Sequence, residues 1–143
     1  MAYTTINKST DYFNTKLYTG NGSAGHAITG VGFQPDWTWI KSRNITKDHM
    51  LFDAVRGVTK ALKTNQTSAE DANADFLTAF GTDGFTVGNN GKINTSSDPL
   101  VSWNWKANGA GSSNSDGSIT STVSANTTAG FSIVAFNGNS GTV

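Results

Sequence analysis

Two segments carry the strongest period-two alternation in the chain. In DWTWIK, Trp37 and Trp39 stand two apart, so a strand there puts both on one face and Thr38 and Ile40 on the other. In LVSWNWKA, Val101, Trp103 and Trp105 share a face opposite Ser102, Asn104 and Lys106. Both segments are read as strands. The run FNTKLYTGNGSAG from Phe13 ends in a Gly/Asn/Ser cluster and reads as a strand followed by a turn.

The stretch QTSAEDANADFLTAF admits two periods. Thr67 to Glu70 has the form of a capping box, and Ala69, Ala72, Phe76 and Phe80 recur at helical spacing. Against this, Phe76, Thr78 and Phe80 alternate with Leu77 and Ala79 and run through GTDG into FTVG, the pattern of a hairpin with a Gly-containing loop. The strand reading is preferred. NGAGSSNSDGS then reads as a flexible Gly/Ser loop, with two further strands near Ser118 to Val123 and Gly130 to Phe136. One echo is visible: FNTKLYTGN from Phe13 and FSIVAFNGN from Phe131 share Phe, Gly and Asn, with Tyr18 matched by Phe136. Taken alone, that is weak support for a repeat in so Gly/Asn-rich a chain.

Composition sharpens this pattern. Gly, Thr, Ser and Asn together supply 66 of 143 residues, whereas charged residues make up only 14 per cent and Pro occurs twice. Thr suits a pleated, half-exposed surface and Gly, Asn and Ser suit turns, so many short strands joined by tight turns are favoured over helices. The length fits one domain able to bury a core unaided, and the absence of Cys excludes a disulfide-stapled scaffold.

Ten basic residues balance ten acidic ones, and Arg43, Arg56 and the eight Lys are scattered, so no basic face for nucleic acid is expected. The N-terminus has no apolar signal core, and no apolar run approaches the roughly 20 residues that cross a bilayer. A soluble product with no secretory signal and no membrane partner is expected.

The inventory for catalysis is thin. Glycoside hydrolysis needs two carboxylates about 5 to 9.5 Å apart, one of them kept protonated. Glu70 is the single Glu, while Asp83-Gly84, Asp98-Pro99 and Asp116-Gly117 occupy turn dipeptides; Asp71 and Asp75 form the only near pair. Without Cys or a GxSxG elbow, and with His26 and His49 isolated, no nucleophilic triad is expected. His26, which follows a Gly/Ser turn, reads as an exposed imidazole at a loop edge. No zinc spacing occurs; NSDGS, with Asp116, offers carbonyls and one acid for a hard cation but lacks the remaining acids of a calcium loop. No catalytic, cofactor-binding or metal residue is assigned, no cofactor is expected, and the chain is read as no enzyme.

Because each Trp pair shares one strand face, Trp37, Trp39, Trp103 and Trp105 are expected mainly in a sheet-on-sheet core, with Phe13, Phe33, Phe85 and Phe131 as neighbours. Ligand contact is then left to the loops.

Taken together, DYFNTKLYTGNGS, GVGFQPDWTWIKSR, LFDAVRGVTK, DGFTVG, VSWNWKA and above all SDGSITSTVSANTTAGFSIVAF resemble a module of tailed-phage structural proteins. The chain resembles the concanavalin A-like, lectin/glucanase-type domain of tail-fibre and other virion proteins of marine bacteriophages, from about Ile6 to Phe136. The resemblance implies an all-β, antiparallel two-sheet β-sandwich of jelly-roll type with little helix. It also implies a non-catalytic place in the virion, as a tail- or head-fibre module serving host attachment through glycan contact. The alternative is a purely architectural role as fibre anchor, joint or capsid decoration. Other virion proteins and a homo-oligomer, a trimer as in fibres generally, are the implied partners. No ligand-contact residue is carried over.

The expected organisation is a lead-in strand or arm over 1–12, the sandwich over 13–130, and a last strand with the start of a following module over 131–143. The strand from Phe131 is expected to pair within this domain while the natural chain continues past Val143.

Overall fold

The computed structural model describes residues 6–138. Alternation and turn chemistry produce an almost wholly β chain. β1 (Phe13–Thr19), β3 (Trp37–Ser42), β4 (Met50–Asp53), β5 (Lys60–Lys63), β6 (Asp71–Ala72) and β9 (Pro99–Trp105) form a six-stranded sheet in the order β1-β9-β3-β4-β5-β6. A second sheet is ordered β2-β8-β7, from β2 (His26–Thr29), β7 (Leu77–Gly81) and β8 (Gly84–Val87). A third is ordered β10-β11-β12, from β10 (Ser112–Asn114), β11 (Ser121–Asn126) and β12 (Phe131–Phe136). Every paired neighbour is antiparallel. Helix among the described residues is confined to the 3-10 turn Ser9–Asp11 and a single α turn, α1 (Gly91–Asn94).

The first two sheets form the sandwich. Ile40, Met50, Phe52, Ala61 and Leu100 from the six-stranded sheet meet Ile28, Leu77, Phe85 and Val87 from the second, with Phe76 and Ile93 filling the same core. Phe76 sits edge-on to Phe52 at 5.8 Å. The ambiguous stretch takes the strand solution: Leu77–Gly81 turns through Thr82-Asp83 into Gly84–Val87, with a bulge between Leu77 and Ala79. Gly84 has φ of 146°, and a Cβ there would fall 2.0 Å from the Ile28 carbonyl oxygen, so only glycine fits this close approach of β8 to β2.

The four Trp are not in that core. Along β3, Thr38, Ile40 and Ser42 are buried while Trp37 and Trp39 are half-buried on the outer face. Along β9, Ser102 and Asn104 are completely buried while Trp103 and Trp105 are half-buried. The expectation of a Trp core is therefore inverted. The small polar alternates face inward because they satisfy one another across the strands. Thr38 Oγ1 donates to Asn104 Oδ1 at 3.2 Å, and Asn104 Nδ2 donates to the Asn14 carbonyl at 3.1 Å and to Ser102 Oγ at 3.0 Å. Once paired, such groups add little cost inside, and they let the two sheets approach more closely than four indoles would.

The third sheet lies outside the sandwich at one end of this outer face, where Phe131 meets Trp37 and Trp105 at 6.2 Å each. Of the expected Trp neighbours, Phe13 and Phe131 are found there, whereas Phe85 lies in the sandwich core and Phe33 is buried without a ring contact to a Trp. In the lead-in, the described residues 6–12 hold the 3-10 turn rather than a strand. The loop expected over NGAGSSNSDGS contains β10, and the next strand starts at Ser121 rather than Ser118. Of the expected final segment, the strand lies at Phe131–Phe136, and residues 139–143 lie outside the described residues.

Candidate functional site

Register sets four indoles into two rows across the outer face. Pairing of β1, β9, β3 and β4 aligns Phe13, Trp105, Trp37 and Asp53 in one row. The next row holds Thr15, Trp103, Trp39, Leu51 and, on β5, Leu62. In the first row Trp37 and Trp105 are T-shaped at 4.5 Å, Phe13 tilts onto Trp105 at 4.7 Å, and Phe131 of the third sheet closes the cluster.

The second row is open. Trp39 and Trp103 lie 5.3 Å apart at 44°, and the only other ring against them among the described residues is His49, 5.9 Å from Trp39. On the Trp103 side Thr15 is exposed; on the Trp39 side Leu51 is buried and Leu62 beyond it is 36% exposed, while Leu17, one row further, is 57% exposed. Trp39 Nε1 is enclosed without a hydrogen-bond partner, so the half-exposed part of that indole is carbon surface. Such a surface offers stacking to a ligand and no hydrogen bond.

His49 ties this pair to a polar pocket. Its backbone N–H donates to Asn65 Oδ1 at 3.0 Å. Asn65 lines a pocket of about 450 Å³ with Thr46, Lys47, Asp48, Asn90 and Lys92. Asp48 accepts from Gln66 Nε2 at 2.6 Å and Asn65 Nδ2 at 3.3 Å, with Lys92 Nζ at 3.7 Å. Lys47 Nζ reaches the Gly91 carbonyl and Thr95 Oγ1, which holds the 43–49 loop against α1. The pocket thus presents amides, hydroxyls and paired charges, groups that hydrogen-bond a polyhydroxylated ligand.

Each acid singled out in the sequence has a structural task. Asp53 and Glu70 converge on Arg56, at 2.6 Å to Nε and 3.0 Å to Nη1. Asp71 pairs with Lys63 at 3.0 Å and Lys92 at 3.4 Å; the Lys63 bond is the chief cause holding its carboxyl below the usual range and Lys63 above its own. Asp83 accepts the N–H groups of Gly32 at 2.6 Å and Gly30 at 2.9 Å, which lower its pKa and pin the β2 end to the β7–β8 turn. Asp98 is buried and accepts from Ser42 Oγ at 2.9 Å. Asp75, at the expected near pair's other end, donates its backbone N–H to Asn73 Oδ1 at 2.8 Å in a turn. Exposed Asp116 accepts from Asn114 Nδ2 at 2.9 Å. No group of three or more His, Asp or Glu that could hold a metal ion occurs among the described residues.

His26 is not an exposed loop-edge imidazole. It is half-buried at the start of β2, with Nδ1 2.9 Å from Asn94 Oδ1 and its ring edge-on to Tyr18. Asn94 Nδ2 already donates to the Ser23, Gly88 and Asn21 oxygens, so its Oδ1 is the acceptor and His26 donates from Nδ1. Asn94, fully buried, is the hub that sequence reading missed. Tyr18 donates to the Ile93 carbonyl at 2.7 Å in the same region, and burial drives its phenol pKa far upward.

A family profile for a domain of unknown function, DUF7483, matches residues 8–143. The chain belongs to the DUF7483 family. Neither the curated proteins nor the solved structures yield a match. In this DUF7483 domain the strands from β1 to β12, and with them both Trp rows, lie within the matched segment.

Proposed function

We propose that this DUF7483 domain is a non-catalytic module of a bacteriophage virion, in a tail or head fibre, that contacts host-surface glycan. The observation that carries the contact surface is the open Trp39–Trp103 pair on the outer face of the central sheet, with exposed Thr15 beside Trp103 and exposed Leu62 beyond Trp39 and Leu51. Two indoles that offer carbon surface suit the apolar face of a sugar ring, and the adjoining pocket around Asp48, Asn65 and Lys92 supplies groups for its hydroxyls. The virion setting rests on the resemblance of the sequence to tail-fibre modules. The non-catalytic reading is supported by the acids, of which Asp53, Glu70, Asp71 and Asp83 are committed to cations or backbone N–H groups.

A panel of host-surface polysaccharides and intact host cells, titrated with the isolated domain, tests this. Saturable binding that Trp39→Ala weakens at least tenfold is expected. Absence of binding at millimolar glycan would reject attachment in favour of the architectural role, which the exposed outer face of β12 already favours.

A further inference from the structure

The segments Phe13–Asn21 and Phe131–Asn139 share Phe, Gly and Asn at matched positions, with Tyr18 opposite Phe136. In the first segment each of these residues has a task. Tyr18 packs against the core and edge-on to Phe85 at 6.2 Å. Gly20 passes so close to α1 that a Cβ would fall 2.1 Å from the Thr95 carbonyl oxygen. Asn21 donates its backbone N–H to Asn94 Oδ1 and accepts from Asn94 Nδ2.

In the second segment Phe131 packs on the capped Trp pair, as Phe13 does, and Asn139 lies outside the described residues, but Phe136 and Gly138, the counterparts of Tyr18 and Gly20, are idle. Phe136 is 63% exposed and Val134 50% exposed, and nothing lies within 4 Å of a Cβ built on Gly138. The facing agrees residue by residue. The inward side of β1 holds Asn14, Lys16 and Tyr18; the matched residues Ser132, Val134 and Phe136 form the exposed side of β12. Pairing agrees too. Among the described residues β1, at the edge of its sheet, pairs only with β9, and β12, at the edge of its own, pairs only with β11, which leaves β12 one edge open to a further strand. A long apolar edge strand left in that state is an invitation to add a strand.

We propose that β12 serves as the first strand of a second sandwich of this same fold. Its free edge pairs with that sandwich's β9, Phe136 enters the core position held here by Tyr18, and Gly138 passes its α1 as Gly20 does here. The partner is thus a second copy of the fold, entered by β12 in place of its own β1. The third sheet and the partner's central sheet then become one continuous sheet, and sandwiches join in series.

The test is a fusion of residues 1–138 to residues 21–143, which gives the second copy no β1 of its own, followed by limited proteolysis and mass measurement of the protected fragment. Protection of both copies is expected. Gly138→Val is expected to leave the single chain's melting temperature unchanged, since its surroundings are empty, yet to expose the second copy of the fusion to digestion. Digestion of the second copy with Gly138 intact, while a fusion carrying a complete second copy survives, would overturn the proposal. Equal protection of the Gly138→Val fusion would overturn it as well.

Discussion

Trp37–Trp105 and Trp39–Trp103 are the same device placed twice, one indole from β3 beside one from β9 on the same outer face. They differ in what surrounds them. The first pair is flanked by Phe13 and roofed by Phe131 from the third sheet; the second has Thr15 on one side, buried Leu51 and exposed Leu62 on the other, and, among the described residues, no ring from another sheet against it. Sequence spacing alone makes the pairs equivalent. The third sheet makes one of them a packing cluster and leaves the other half-exposed, and on the proposed function that second pair is the glycan-contact surface.

Breaking the capped pair carries the largest expected effect. Trp105→Ala removes contacts to Trp37, Phe13 and Phe131 at once, and because the side chain is half-buried the loss is about 2 to 3 kcal/mol, below the range for full burial. Urea titration checks it; a change under about 0.5 kcal/mol, the range of neutral surface changes, would mean that the cluster does not hold the sheets together. Next comes the reason both pairs point outward. Asn104→Ala leaves Thr38 Oγ1 and the Asn14 carbonyl without their inner-face partner and is expected to cost about 2 kcal/mol. A neutral Asn104→Ala would remove the hydrogen-bonding account of the inverted faces.

Removing the roof should make the two pairs alike. Phe131→Ala is expected to cost about 1.5 kcal/mol and to raise the solvent quenching of Trp fluorescence, as the capped indoles become accessible. Unchanged quenching by acrylamide would show that Phe131 is no roof. The smallest effect is expected far from both pairs, in acid. Asp83 and Asp71 titrate below the value of about 3.9 they have when unfolded. Their stabilisation is therefore complete above about pH 4 and is lost as pH falls through the lowered folded values. Asp83→Asn should make the fall of melting temperature below about pH 4 shallower, with both Trp pairs undisturbed; an identical acid slope in the variant would contradict this.

Much of the sheet was legible in the chain. Period-two runs located β3, β9 and β12, a run closed by a Gly/Asn/Ser turn located β1, and GTDG located the β7–β8 turn, because these signals are local. The direction of the faces was not. Thr38, Ser42, Ser102 and Asn104 look like a solvent side until β3 and β9 pair, and the partners that satisfy them come from strands far along the chain. His26 was misplaced for the same reason, since Asn94 lies 68 residues away. The roof over one Trp pair was equally hidden, because Phe131 reaches Trp37 only through the placement of the third sheet.

The division between a packing pair and a contact pair is tested most directly by measuring Trp103→Ala and Trp105→Ala side by side, for melting temperature and for binding to host cells or their polysaccharide. Trp103→Ala should keep a melting temperature within a few degrees of the parent and lose at least tenfold in binding, whereas Trp105→Ala should melt clearly earlier and, below its transition, bind as the parent does. Equal losses in both variants on both measurements, or full binding by Trp103→Ala, would contradict the division.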